Sequence, residues 1–204
     1  MALNNSPVKG LYLQIIPTFY TLFDEQNVTQ KDRVSMHEEI LDLVDVNDHV
    51  IGQIPRSQAW NHPTGYIRVV SAFIENNCGQ LWIPRRTATK KRFPLALDLS
   101  VSGCVANGES YEQALERESA EEINQILRAT EQNLVAYLTP HKHGISSFMK
   151  VYRFISDTTP AYNTEDFCES YWLTPQELMA RINNGDACKD DLPKIIKIVY
   201  KDRL

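Results

Sequence analysis

From Glu39 onward, the pattern of apolar and polar positions predicts a series of β-strands. Apolar and polar residues alternate over Glu39–Val44, and Val50–Ile54 resumes the apolar pattern after a turn at Asn47-Asp48. Two such runs around a turn predict a β-hairpin. Further strands are predicted over Ile67–Ile74, Gln80–Ile83, Leu95–Val101, Leu134–Leu138, Ser147–Ile155 and Cys168–Trp172.

Three segments carry helix signals. Ser110 precedes the first of them, and Gln113 stands three residues later, which is the spacing of a capping box. This helix continues past Glu122, and shorter helices are predicted over Gln176–Ile182 and Leu192–Tyr200. Strands and helices in this order predict an α/β fold in which a mixed β-sheet lies between helices.

The first 36 residues differ from the rest of the chain. Apolar and aromatic positions are concentrated in Leu11–Phe23, and a polar run over Asp24–Arg33 follows. The periodicity fits a helix and a strand equally well. We therefore expect an N-terminal extension over residues 1–36, followed by a domain over residues 37–204. The apolar segment either pairs two subunits in a homodimer or covers the core of its own chain.

Charge and cysteine usage narrow the range of functions. In this chain of 204 residues, acidic residues outnumber basic ones by 26 to 21, which argues against a general binder of nucleic-acid polymers. The four cysteines lack the spacing of a zinc site, and the polar start of the chain has no signal-peptide pattern. Leu11–Phe23 is broken by Pro17 and is too short to cross a bilayer, which takes about 20 residues. We expect reduced thiols in a cytoplasmic protein that does not enter the membrane.

Three carboxylates share one face of the first helix. At about 100° per residue, Glu118, Glu121 and Glu122 fall within an arc of roughly 100°. Tyr111 and Leu115 lie on the same side, so this face is expected to point inward. Crowded carboxylates repel one another, and a hard divalent cation such as Mg²⁺ would offset that cost. A solvated acidic face is the alternative.

The segment GCVANGESYEQALERESAEEINQ, from Gly103 to Gln125, resembles the Nudix signature Gx5Ex7REUxEExGU, in which U is an aliphatic residue. Six of its seven fixed positions are in register, namely Gly103, Glu109, Arg117, Glu118, Glu121 and Glu122. The departures are Asn124 for the last glycine, and Ser119 and Gln125 for the aliphatic residues. Asparagine tolerates a left-handed helix end almost as well as glycine. Gln125 suggests that the helix runs on to about Arg128.

This resemblance implies a Nudix-type α/β/α sandwich with a mixed β-sheet, and hydrolysis of a diphosphate linked to another group. It implies Mg²⁺ or Mn²⁺ held by Glu118, Glu121 and Glu122, with Gly103, Glu109 and Arg117 supporting their geometry. The proton of the attacking water would go to a glutamate, with Glu118 and Glu121 as the leading candidates. A carboxylate outside the signature, among Glu165, Asp166 and Glu169, is a further possibility.

Sequence similarity from Glu39 onward extends to the isopentenyl-diphosphate isomerase branch of this superfamily. In that branch, a CGH motif supplies the catalytic cysteine and a metal-binding histidine, and here Ser102 and Cys104 stand at those positions. A further metal-binding histidine falls on Ile67, and the ExE acids fall on 145–147, where the sequence is ISS. The isomerase is therefore disfavoured, because serine does not replace a thiol acid.

Arg86 and Lys90 belong to an RRxxxK pattern, which in the isomerase-like branch contacts the substrate diphosphate. A solvated basic loop over residues 90–92 is the alternative. The sequence thus favours a metal-dependent hydrolase of a small diphosphate, either a nucleoside diphosphate derivative or an isoprenyl- or thiamine-type diphosphate. A catalytically weak Nudix module that binds a diphosphate ligand or a protein partner is the second hypothesis. Surface or supporting roles are expected for His62, His141 and His143, and core positions for Trp60, Trp82 and Trp172.

Overall fold

A computed structural model describes residues 38–60, 62 and 65–204. The expected N-terminal extension over residues 1–36, including the Leu11–Phe23 segment, lies outside these described residues. Among the residues that are described, no helix has the length and apolar character needed to cross a membrane.

The described residues contain eight β-strands and five α-helices. The strands are β1 (Ile40–Val44), β2 (Val50–Pro55), β3 (Arg68–Glu75), β4 (Leu81–Arg86), β5 (Val101–Cys104), β6 (Leu134–Leu138), β7 (Phe148–Ile155) and β8 (Phe167–Leu173). The α-helices are α1 (Arg56–Ala59), α2 (Tyr111–Ile123), α3 (Pro140–His143), α4 (Pro175–Asn183) and α5 (Leu192–Val199).

Six of the strands form one mixed sheet. Its order is β6-β7-β3-β4-β8, and β5 also pairs with β3. Strands β3 and β7 are parallel, whereas the other neighbouring strands are antiparallel. Strands β1 and β2 form a separate antiparallel pair with Leu41 opposite Ile54, which confirms the hairpin prediction.

Helices cover both faces of the six-stranded sheet. Successive side chains of a strand point to opposite faces. Phe73 of β3 packs in one buried cluster with Leu178 of α4 and Ile195 of α5. Its neighbour Ile74 packs in a second buried cluster with Leu115 of α2. The protein is therefore an α/β/α sandwich with a mixed sheet, as the sequence predicts.

The predicted strand over Leu95–Val101 is wrong, because β5 begins only at Val101. Phe93 and Leu95 both have left-handed backbone angles, with φ of 51° and 58°, so the chain turns there. Beyond the turn, the amide of Leu97 donates to the carbonyl of Ala187, whereas that of Asp98 donates to the carbonyl of Pro84. This segment is buried between two parts of the chain without forming a ladder. Its apolar pattern reports burial and not strand pairing.

The prediction that α2 runs on to about Arg128 is also wrong. The helix ends at Ile123 because Asn124 adopts a left-handed conformation with φ 51°. Ser119, at an aliphatic position of the signature, accepts a hydrogen bond from the amide of Leu127 at 2.9 Å. The serine thus holds the chain that leaves the helix against the last turn of α2.

Candidate active site

Helix α2 and strand β5 border a cleft of about 800 Å³. Glu118, Glu121 and Glu122 all line this cleft, and so do Arg86 and Lys90. The structure therefore brings together the carboxylates and the cations that the sequence singles out, although they come from different elements.

The start of α2 sets the direction of its carboxylates. The Ser110 hydroxyl accepts a hydrogen bond from the amide of Gln113 at 3.2 Å, and the Gln113 side chain accepts one from the amide of Ser110 at 2.8 Å, which confirms the capping box. With its apolar side packed on the sheet, the helix turns Glu118 and Glu122 inward, where each is only 7% exposed. Glu121 lies at the rim of the cleft, and its side chain is 59% exposed.

Arg117 joins the helix to the loop that precedes it. Its Nε and one terminal nitrogen donate to the two oxygens of Glu109 at 2.8 and 2.9 Å. The other terminal nitrogen donates to Glu118 at 2.7 Å, and a further bond reaches the carbonyl of Cys104 at 2.9 Å. These hydrogen bonds hold the pKa of Glu109 below its usual value. A planar guanidinium fits this task because it presents its donors in a fixed fork.

Because Gly103 has no side chain, the Glu118 carboxyl can occupy the space beside it. A Cβ atom at position 103 would lie 1.8 Å from the carboxyl carbon of Glu118. Since no such contact is sterically possible, a side chain at this position would displace the carboxylate. The close approach accounts for glycine at the first position of the signature.

Glu118 and Glu122 form a buried acidic pair. Burial raises the pKa of Glu122 well above its usual value, and the negative charges of Glu118 and Asp98 raise it further, although Ser102 donates its amide to Glu122 at 3.0 Å. Burial also raises the pKa of Glu118, against the opposing effect of Arg117. Glu118 has an ion-pair partner in Arg117, whereas in the described part of the chain no cation lies within ion-pairing distance of Glu122. The oxygen donors of the pair are those that Mg²⁺ and Mn²⁺ prefer, so the residues fit such an ion.

Glu121 is the exposed carboxylate of the three. Glu121 lies 3.7 Å from the Arg117 guanidinium at the rim of the cleft. Across residues 38–60, 62 and 65–204, no three acidic, histidine or cysteine side chains are already arranged around one point as metal ligands. A single ion held by all three glutamates therefore requires side-chain rearrangement.

The cations across the cleft are engaged by acids. Arg86 forms an ion pair with the buried Asp98 at 2.8 Å, and Lys90 forms one with Asp166. The basic loop is thus only partly solvated: its exposed Arg92 stacks on the ring of Trp60, with 3.7 Å from the guanidinium carbon to the ring centroid. Trp60 is a wall of the cleft and not only a core residue.

Most of the other residues weighed from the sequence lie elsewhere. Of the three later acids, Asp166 lines the cleft, whereas Glu165 and Glu169 do not, and Glu169 of β8 pairs with Arg85. His143 accepts a hydrogen bond from the amide of Thr139, and His141 is exposed. Trp82 is fully buried, as expected.

Sequence reasoning missed two residues of the cleft region, Asp98 and Lys189. The ammonium of Lys189 lines the cleft and lies 3.1 Å from Asp98. The sequence contained a signal for Asp98, because it is the charged residue within the otherwise mostly apolar run LALDLSV. Lys189 had no such signal, because only the tertiary fold brings the chain before α5 to this place.

The positions that matter for an isomerase carry no acid–base group suited to that reaction. Cys104 is buried, and burial raises the pKa of its thiol to about 11. Ser102 shares a hydrogen bond with Ser71 at 3.0 Å, and Ile67 is buried. These contacts are those of a packed strand and its neighbours.

Comparison with known proteins identifies the family. The family model of the NUDIX domain matches residues 65–191. An uncharacterized Nudix hydrolase of Nostoc sp. is 49% identical over 162 residues, which cover 79% of this chain and 96% of that protein. A crystal structure of a Deinococcus radiodurans protein is similar with a TM-score of 0.72 and 44% identity, covering 79% of this chain and 99% of that one.

An isopentenyl-diphosphate Delta-isomerase of Nocardia farcinica is 28% identical over 145 residues, covering 70% of this chain and 83% of that protein. This similarity is weaker than that to the Nostoc hydrolase, in line with the residues at the isomerase positions. With a NUDIX domain over more than half of its length and a hydrolase relative at 49% identity, the chain belongs to the Nudix hydrolase family.

Proposed function

We propose that the protein is a Mg²⁺- or Mn²⁺-dependent hydrolase that cleaves the diphosphate linkage of a small molecule, such as a nucleoside diphosphate derivative. One observation carries this proposal: the buried pair Glu118 and Glu122 lies in the same cleft as Glu121 and the cations Arg86 and Lys90. Carboxylates beside cations suit a substrate whose phosphates meet a metal ion on one side and basic side chains on the other.

Glu118, Glu121 and Glu122 would hold the metal ion. When bound there, the ion would neutralise phosphate charge and lower the pKa of a water molecule. Arg117 and Glu109 hold the Glu118 carboxyl in place, and Gly103 leaves space for it. Glu118 or Glu121 would take the proton of the attacking water on a carboxylate oxygen. Of the two, Glu121 has the more accessible carboxylate, because Arg117 donates to Glu118.

Arg86 and Lys90 would bind the diphosphate. Lys90 currently pairs with Asp166, so a phosphate would have to replace or join that carboxylate. Lys90 would keep an anionic acceptor in either case, which costs less than leaving a desolvated lysine unpaired.

The test is a panel of nucleoside diphosphate derivatives and of isoprenyl and thiamine-type diphosphates, with Mg²⁺, with Mn²⁺ and with a chelator, in which release of phosphate or of the nucleotide product is measured. We expect hydrolysis that the chelator abolishes. Glu121→Gln is expected to reduce kcat by roughly 100-fold, since a proton acceptor contributes at least that factor. Glu116→Gln is the matched control, because Glu116 lies on the same helix, is 44% exposed and does not line the cleft.

Equal activity of the wild type and Glu121→Gln across the panel would contradict this proposal. Diphosphate binding without turnover would favour the second hypothesis, a catalytically weak binding module. That hypothesis draws on the finding that, within the described residues, no three side chains are already arranged as metal ligands.

The proposal extends to location and assembly. The four cysteines are free thiols, which supports a reducing compartment such as the cytoplasm. For Leu11–Phe23, a homodimer contact and cover for the core of its own chain are the two proposals, and sedimentation of the full chain and of a form lacking residues 1–36 would distinguish them.

A further inference from the structure

Asp98, a buried residue next to the cleft, forms ion pairs with two cations. The Asp98 side chain is 1% exposed, and its two oxygens lie 2.8 Å from Arg86 and 3.1 Å from Lys189. By themselves, Asp98 and the two cations have a net charge of +1, and a metal ion on the nearby pair Glu118 and Glu122 would leave that positive charge unopposed. Removing a charged side chain from water costs free energy unless an opposite charge lies beside it. The group is therefore suited to receive an anion from the cleft.

The position of Lys189 is fixed by backbone contacts. Its amide donates to the carbonyl of Leu97 at 3.0 Å, and the amide of Leu97 donates to the carbonyl of Ala187 at 2.7 Å. Leu97 and Cys188 form a parallel bridge. The chain before α5 is thus held beside the segment that carries Asp98. The backbone of Lys189 is therefore fixed by the fold, and this fixes where its side chain begins.

A single residue separates this cation from the buried acidic pair. The Lys189 ammonium lies 3.0 Å from the Ser102 hydroxyl, and the amide of Ser102 donates to Glu122 at 3.0 Å. Positive charge and carboxylates therefore lie on adjacent sides of Ser102. One phosphate of a diphosphate could therefore meet the cation, while the other would meet the metal ion that the carboxylates would hold.

Lys189 has a donor to spare. An ammonium has three N–H groups, and in the described part of the chain Asp98 and Ser102 are the acceptors within hydrogen-bonding distance. The side chain is 22% exposed, and it lines the cleft. The third N–H is thus available to an oxygen that enters there.

We propose that Lys189, together with Arg86, binds a phosphate group of the substrate, and that Asp98 is the positioning residue that holds the two cations. The inference rests on the proposed function, since it requires a diphosphate in this cleft. A purely structural ion pair is the competing explanation.

The experiment compares Lys189→Met, Lys189→Arg and the control Lys197→Met, which alters an exposed lysine of α5. Metal-free binding of inorganic pyrophosphate is measured by calorimetry in the presence of a chelator, and KM and kcat are measured on a diphosphate that the wild type hydrolyses. We expect Lys189→Met to weaken pyrophosphate binding and raise KM by about tenfold, the worth of one charged hydrogen bond, with kcat within roughly twofold of wild type. Lys189→Arg should recover most of the loss, and Lys197→Met should match the wild type.

Wild-type affinity for pyrophosphate and wild-type KM in Lys189→Met would overturn the inference. A fall in melting temperature without a change in either constant would assign Lys189 to the structure alone. Hydrolysis by the wild type with no effect of Lys189→Met overturns this inference only. Failure of the wild type to hydrolyse any diphosphate overturns the proposed function, whereas weaker pyrophosphate binding by Lys189→Met would still support an anion site.

Asp98→Asn tests the positioning role separately. Without the carboxylate, Arg86 and Lys189 repel each other, so KM is expected to rise as in Lys189→Met. In the double variant with Lys189→Met, the fold-increase in KM should be smaller than the product of the two single-variant increases, because both changes act on one group. Full multiplication of the two effects would contradict the role of Asp98.

Discussion

Among single residues, Gly103 has the most direct effect on the cleft. The carboxyl of Glu118 lies where a side chain at position 103 would be. Arg117 then binds that carboxyl from the other side at 2.7 Å. The glycine and the arginine together determine where Glu118 can place its oxygens.

Gly103→Ala is expected to push the Glu118 carboxyl out of its place and break its bond to Arg117. The free energy of unfolding should fall by about 1 to 3 kcal/mol, as in other overpacked sites, and diphosphate hydrolysis should be lost. Chemical denaturation and phosphate release measure the two effects. Gly52→Ala is the control, because a Cβ there meets no atom within 4 Å. Unchanged stability and activity in Gly103→Ala would show that Glu118 does not occupy this place in solution.

Residues close in sequence determine where helices α2 and α4 begin and where α2 ends. The capping box of α2 forms as its residue spacing predicts, and Thr174 and Glu177 form a second capping box before α4. Asn124 stops α2 in a left-handed conformation, which places the following chain against Ser119. The end of the helix is thus decided by a backbone angle and not by the polar character of Gln125.

Asn124→Ala is expected to lower the free energy of unfolding by about 1 to 2 kcal/mol relative to Asn124→Gly. Both variants lose the side-chain bond to the carbonyl of Ala161. Their difference therefore isolates the cost of a left-handed angle for a residue with a Cβ atom. Urea denaturation measures it, and equal stability of the two variants would place the end of α2 elsewhere.

At the scale of the whole molecule, ion pairs connect layers that the apolar clusters bring together. Glu112 of α2 accepts hydrogen bonds from Lys150 at 2.8 Å and Tyr152 at 2.7 Å, both on β7. Burial raises the pKa of Glu112, but these two donors lower it to about 2 overall. These hydrogen bonds connect α2 to strand β7 of the sheet.

This contact predicts a dependence of stability on pH. A carboxyl whose pKa is depressed on folding contributes fully above its unfolded value, here 4.5, and loses that contribution as pH falls toward about 2. Because the Glu112 side chain is 44% exposed, the contribution is about 1 kcal/mol or less after solvent screening. Urea denaturation of the wild type and Glu112→Gln should give curves that differ at pH 7 and approach each other below pH 4. A difference that stays constant or grows in acid would contradict this account, and Glu116→Gln serves as the control.

The strand prediction over Leu95–Val101 failed for a reason that belongs to this scale. A buried segment and a buried strand have the same apolar pattern, and only hydrogen bonding separates them. Here Leu97 is held between Arg85 and Cys188 by isolated bridges. The partner Cys188 is far away in sequence, so no local rule could have identified it.

Features that depend on neighbouring residues could be predicted from the chain: the β1–β2 hairpin, the capping box of Ser110 and Gln113, and the spacing of Glu118, Glu121 and Glu122 along one helix. Local sterics and hydrogen bonds act within a few residues, so their signals are readable in the chain. Tertiary structure alone decided that Lys189 meets Asp98, because that contact depends on the packing of distant segments. It also decided that Glu118 and Glu122 are buried while Glu121 is not, since burial depends on what the rest of the fold lays over the helix.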